Sequence, residues 1–134
     1  MTNKMLNPET IFDSRQFGFS QIVVTEGKKT IYMSGQIGWD ENQVIVGPGD
    51  LGTQMTQALR NIETGLQLAG ATLTDVVLLR IYVVRSEFEN SGVIKDVLKT
   101  FFPGDSPPVS TWLFIDSLAN KDFLIEIEPV AVVG

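Results

Sequence analysis

The 134-residue chain has the length of one domain with room for a buried core, and its apolar share of 43% fits a folded globular protein. It contains no cysteine and no histidine, which removes disulfides, thiolate nucleophiles, Cys- or His-ligated metals and the commonest general base. A net charge of −6 offers phosphate backbones no broad basic footprint, so nucleic acid is not an expected partner.

The N-terminal run from Met1 to Pro8 holds no apolar stretch of signal length. Nothing later approaches the roughly 20 apolar residues of a membrane span, so the expectation is a cytoplasmic protein with no membrane partner. Gln21–Thr25 and Thr30–Ser34 are short β-prone runs flanking Glu26-Gly27-Lys28-Lys29, a spacing that predicts a hairpin. Gly35 breaks the pattern, and Gly47-Pro48-Gly49 marks a loop.

From Asp50 onward Leu51, Met55, Ala58, Leu59, Ile62, Leu66 and Ala69 recur at helical spacing, with Gln54, Gln57, Arg60, Asn61 and Gln67 facing elsewhere. This predicts a long amphipathic helix with Asp50 as N-cap and Gly70 as C-terminal stop. The nearly continuous apolar run Val76–Val84 predicts a strand covered on both faces. A second helix carries Val93, Ile94, Val97, Leu98 and Phe101 on one stripe and ends at Pro103-Gly104. Two strands, Val109–Ile115 and Phe123–Val133, close the chain.

The element order is therefore β-β-α-β-α-β-β, and its two helical crossovers require some parallel pairing in a mixed sheet of an α+β fold. No composition shift, repeat or low-complexity tract divides residues 1–134, which read as a single domain.

On the last strand, period two places Ile125, Ile127, Pro129 and Ala131 on one face and Glu126, Glu128, Val130 and Val132 on the other. The two carboxylates then either decorate a solvent-facing edge or serve a site, and Pro129 marks an edge or an irregularity. Arg80 interrupts an apolar strand and is read as an ion-pair partner of Glu126 or Glu128, or else as an anion binder; Arg15 is read as a solvated loop residue. Trp39 and Trp112 belong to the core, an interface or the frame of a pocket. Without histidine or a nearby lysine motif, Ser34 and Ser110 are not expected to be nucleophiles.

Three segments carry a resemblance: Ser34-Gly35-Gln36-Ile37, Pro107-Pro108-Val109-Ser110-Thr111-Trp112, and Ile125-Glu126-Ile127-Glu128-Pro129-Val130-Ala131. Gln57–Ile62, Leu68–Val77 and Phe101-Phe102-Pro103 extend it in order over nearly the whole chain, which resembles the reactive intermediate deaminase (RidA, or YjgF) family. The resemblance implies a chorismate-mutase-like fold with two helices on one face of the sheet, a homotrimer, and small-molecule clefts between subunits. It implies hydrolysis of 2-imino and 2-enamino acids to 2-keto acids and ammonia, with no metal or cofactor.

Carried over by motif, Glu126 would position the hydrolytic water. Ser34, Gly35, Ser110, Thr111, Trp112 and Phe19 would line the pocket, with Phe19 standing where deaminating members usually have tyrosine. Those members also carry an arginine where this chain has Val109, and an isopropyl group cannot make the bidentate charged bonds that hold a carboxylate. Arg80 is the first candidate to replace that cation. The departure leaves two readings, a deaminase whose substrate lacks or differently anchors its carboxylate, and a non-catalytic small-ligand-binding module. RNA cleavage, attributed to some relatives, fits poorly with the acidic charge and missing histidines.

Overall fold

The computed structural model describes residues 3–134, so Met1 and Thr2 of the N-terminal run lie outside the described residues. In chain order the elements are β1 (Lys4–Leu6), β2 (Ile22–Val24), β3 (Lys29–Tyr32), α1 (Leu51–Leu68), β4 (Val76–Val84), α2 (Gly92–Phe101), β5 (Val109–Ile115) and β6 (Ile125–Val133). Four strands form one mixed sheet in the order β3-β6-β4-β5, with β4 and β5 parallel and the other pairs antiparallel. β1 and β2 form a separate antiparallel pair.

The predicted hairpin is not formed. β2 pairs with β1, and β3 pairs with β6. The two runs belong to different sheets, and Glu26, Gly27 and Lys28 carry the chain from one to the other.

α1 begins as expected, with Asp50 accepting a hydrogen bond from the Thr53 N–H at 3.2 Å, and ends where Gly70 takes φ 81°. Met55, Leu59, Ile62 and Leu66 of α1 pack with Ile94 and Leu98 of α2 over Leu79, Ile81, Ile125 and Ile127 of the sheet, all of them fully buried or nearly so. Gln54, read as facing outward, lies inside with no exposed surface. Its amide donates to the Gly47 and Asp122 carbonyls at 3.3 and 3.2 Å and accepts from the Leu124 N–H at 2.9 Å. Full satisfaction of that amide is what makes its burial affordable.

β4 departs from the sequence expectation in an informative way. Leu79, Ile81 and Val83 face the helices, whereas Arg80 is exposed on the opposite face beside half-buried Leu78 and Tyr82. Within one chain the strand is therefore covered on one side only. The open face carries Tyr32 at 78% exposure and Leu113 at 49%, an unusual display of large side chains on a sheet. No helix among the described residues is long and apolar enough to cross a membrane.

Candidate functional site

β6 is an inner strand flanked by β3 and β4, so its acids do not sit on a sheet edge as the solvent-edge reading had it. Its irregularity lies on the β3 side. Ile127 exchanges both main-chain hydrogen bonds with Gln36, at 2.8 and 2.9 Å. Two residues on, Pro129 presents the same side of the strand and has no N–H to offer. The β3 ladder accordingly stops at Tyr32, opposite Val130, and pairing resumes only at the isolated Gln36–Ile127 bridge.

That slack stretch places Gly35 against Glu126. A β-carbon on residue 35 would overlap the Glu126 carboxylate, so glycine is the residue that lets the carboxylate lie over the backbone there. Glu126 is half-buried, and among the described residues its carboxylate has no hydrogen-bond or ion-pair partner. Ser34 is exposed beside it, its carbonyl accepting from the Gln36 amide at 3.1 Å.

Glu126 opens a row across the uncovered face. It lies opposite Tyr82, which pairs with Leu113; the next row is Glu128, Arg80 and Thr111, and the one after it is Val130, Leu78 and Val109. Arg80 Nη1 meets Glu128 Oε1 at 3.4 Å, so its guanidinium is committed to one of the two acids named for it. Glu126 and Val109 are two strands and four residues apart, about 10 Å across the sheet and about 13 Å along it. One protomer does not bring them together.

The four successive residues expected to share a pocket are divided by the pleat. Val109 and Thr111 fall on the open face, and Ser110 and Trp112 on the helix face. Ser110 and Trp112 are tied to each other, the indole Nε1–H donating to Ser110 Oγ at 2.9 Å. Phe19 joins them edge-on to Trp112, with ring centroids 5.8 Å apart.

Phe19 is placed by a single 3₁₀ turn, Ser14–Phe17, which Gly18 closes at φ 93°. Buried Ser14 donates its hydroxyl to the Phe19 carbonyl at 2.7 Å, and the following residue, Ser20, bridges to Val109 at the start of β5. Gly18 rests on α2, where an added β-carbon would stand 3.1 Å from Leu98 Cβ and 3.6 Å from the Lys95 carbonyl oxygen. Arg15 in this turn pairs with Asp13 at 2.9 Å, as a loop residue; the guanidinium hydrogen bond lowers the Asp13 carboxyl pKa from its ordinary value. Trp39 packs edge-on against buried Phe123, with centroids 4.9 Å apart, outside the main core, and borders a surface hollow with Gln36, Ile37 and Asn61.

No group of three or more acids that could hold a metal ion occurs among the described residues. A hollow of about 420 Å³ lies near β1 and the Pro103 loop, lined by Met5, Val76, Phe101 and Pro108 among others, and neither Glu126 nor Val109 borders it. Sequence reading passed over the seat of the Phe19 turn: only the approach of Gly18 reveals that α2 backs it, through Leu98 and the Lys95 carbonyl.

A family profile described as Endoribonuclease L-PSP matches residues 14–133. A rat protein named 2-iminobutanoate/2-iminopropanoate deaminase is 34% identical over 116 residues, covering 87% of this chain and 80% of the relative. Among solved structures, a protein of unknown function of the conserved Rid family from Yersinia pestis superposes with a TM-score of 0.94 at 38% identity, covering 99% of this chain and 100% of the other. A member of the YjgF/YER057c/UK114 family from Mycobacterium tuberculosis gives 0.66 at 29% identity, over 98% of this chain and 100% of that one. With the fold, the order of its elements and the matched length in agreement, this chain belongs to the Rid (YjgF/YER057c/UK114) family.

Proposed function

We propose that the chain binds small imines or enamines in clefts between copies of itself and hydrolyses them to a carbonyl compound and ammonia. The observation that carries this reading is the Glu126 carboxylate, half-buried over Gly35 and without a protein partner. Its lone pairs are available to hold a water and to take a proton from it as that water attacks the imine carbon. The C=N bond becomes a C–N single bond in the carbinolamine, protons pass to nitrogen, and collapse to C=O expels ammonia. Water and imine balance carbonyl and ammonia with no redox partner.

Two features support a shared cleft. The separation of Glu126 from Val109 means that one chain cannot supply both walls, and the open sheet face offers Tyr32, Leu113 and the half-buried apolar residues between them to another copy. A homotrimer, as the family resemblance implies, would cover that face and bring the Glu126–Gly35 wall of one protomer to the Val109–Thr111 wall of its neighbour.

Val109 bears on the substrate. Without an arginine there, the carboxylate of a 2-imino acid must be absent or held by another group. The same residue favours a second reading, a ligand-binding module that has kept the scaffold without turnover. Steady-state hydrolysis of 2-iminopropanoate and 2-iminobutanoate decides between them. The hydrolase reading expects turnover above background that Glu126→Gln removes; wild-type rates equal to background on both would overturn it for this substrate class.

A further inference from the structure

The hollow of about 420 Å³ beside β1 lies on the other side of the sheet from Glu126 and Val109. Val76, one of its lining residues, is buried and pairs with Ala131 of the core, on the face that the helices cover. The volume falls within the range of about 300–1,000 Å³ typical of small-molecule sites. Met5, Leu73, Phe101, Phe102 and Pro103 give the hollow apolar walls, two of them aromatic rings suited to a flat ligand.

The charge at this hollow has one sign. Asp75 lines it, and no lysine or arginine does so among the described residues. The Asp75 carboxylate is half-buried, and its two hydrogen bonds, from the Thr72 N–H at 2.9 Å and the Thr72 hydroxyl at 3.5 Å, both end on Oδ2. Oδ1 has no partner among the described residues, and no ion pair there offsets the charge.

A second source of negative potential is α2, whose last residue, Phe101, lines the hollow. The Phe102 N–H closes on the Leu98 carbonyl at 2.8 Å, and Pro103 follows with no N–H to give. The carbonyls of Lys99, Thr100 and Phe101 are therefore left without a protein donor among the described residues, and such carbonyls carry the negative end of the helix dipole. Arg60 stands 5.9 Å from the centre of the Phe101 ring and Lys99 is exposed in the last turn of α2, but neither lines the hollow.

We infer that this hollow is a second ligand site, which takes a small organic cation: an ammonium group set against Asp75 and the end of α2, carried on a flat apolar body that lies on the phenylalanine and Met5 walls. The site makes no use of Glu126, Gly35 or Val109 and is independent of the cleft proposed above.

The test is an NMR titration of the full-length protein with 2-phenylethylammonium, 2-phenylethanol and 3-phenylpropanoate, three probes that share an apolar body and differ in charge. The ammonium is expected to shift the Thr74, Asp75, Phe102 and Ser106 amides saturably, to bind about 10-fold more tightly than the alcohol and to lose that margin at high salt, while the carboxylate leaves these amides unmoved. Asp75→Asn keeps an oxygen for the Thr72 N–H and removes the charge, so it is expected to lose most of the margin with alcohol binding unchanged. Ser106→Phe, on the exposed loop, is expected to fill the hollow and exclude both probes. A full ammonium margin in Asp75→Asn, or a wild type that binds the carboxylate equally well, overturns the assignment of a cation. Binding that Ser106→Phe leaves intact, saturable shifts confined to the amides around Gly35, Glu126 and Val109, or no saturable shift at all overturns the site. Imine turnover decides none of these outcomes, so the hollow stands or falls apart from the reading of Glu126.

Discussion

The Glu126 carboxylate occupies the space that a β-carbon on residue 35 would fill. Gly35→Ala is therefore an experiment on the acid as much as on the turn. The overlapping atoms belong to the end of a flexible side chain, so the carboxylate swings aside and the fold survives, with a stability change under about 1 kcal/mol. Displacement of the water-holding group by the width of a methyl is expected to lower imine turnover about 100-fold. Parallel thermal melts and steady-state assays check the split; activity equal to wild type would show that the close approach has no part in the chemistry.

Val109→Arg restores a guanidinium to the second wall. If the cleft accepts 2-keto acids, the new charge-assisted bonds should tighten 2-oxobutanoate binding about 10- to 150-fold and leave butanone unaffected. A gain for both probes, or for neither, would remove position 109 from the cleft.

Leu113, 49% exposed in the row of the open face that holds Glu126 and Tyr82, tests assembly. Leu113→Glu sets a second carboxylate in the row that already holds Glu126 and removes apolar surface that another copy would cover. Light scattering is expected to show a mass near three times the 14.8 kDa protomer for the wild type, and a shift toward the protomer for the variant. A wild-type protein that is monomeric at all concentrations would remove the shared cleft.

Gln54 ties α1 to the Gly47 turn and to the segment entering β6, through three main-chain groups. Gln54→Leu leaves those groups without their partner and is expected to cost about 3 kcal/mol in chemical denaturation. A loss below about 1 kcal/mol would mean that water replaces the amide at no great expense.

What could be read from the chain follows the range of the interactions involved. Asp50, Gly70, the stripe of α1 and the alternation of β6 are local signals set by 3.6 or 2.0 periods and by caps, and each appears in the structure where expected. Pairing partners are not local. β3 reads like one arm of a hairpin, but its register is set by β6 about a hundred residues later, and β2 finds its partner in a three-residue strand at the other end of the N-terminal segment. Gln54 looks like part of a polar face because its two carbonyl partners and one amide partner lie in loops that no helical period reveals. The seat of Gly18 on α2 was silent for the same reason, Leu98 being far away in sequence. As for the candidate site, motif matching put Glu126 and Gly35 side by side, whereas the pleat alone determines that Ser110 and Trp112 turn away from Val109 and Thr111.

Pro129 gives the site a property that no hydrogen-bonded turn could. Most gaps in a β ladder are maintained by a balance of weak contacts and can close when temperature, ionic strength or a bound partner alters that balance. A pyrrolidine nitrogen can never donate, so the main-chain bond that residue 129 would give toward β3 stays missing whatever the temperature, ionic strength or bound partner. The break in the ladder between Tyr32 and Gln36 thus has a covalent cause, the ring of Pro129.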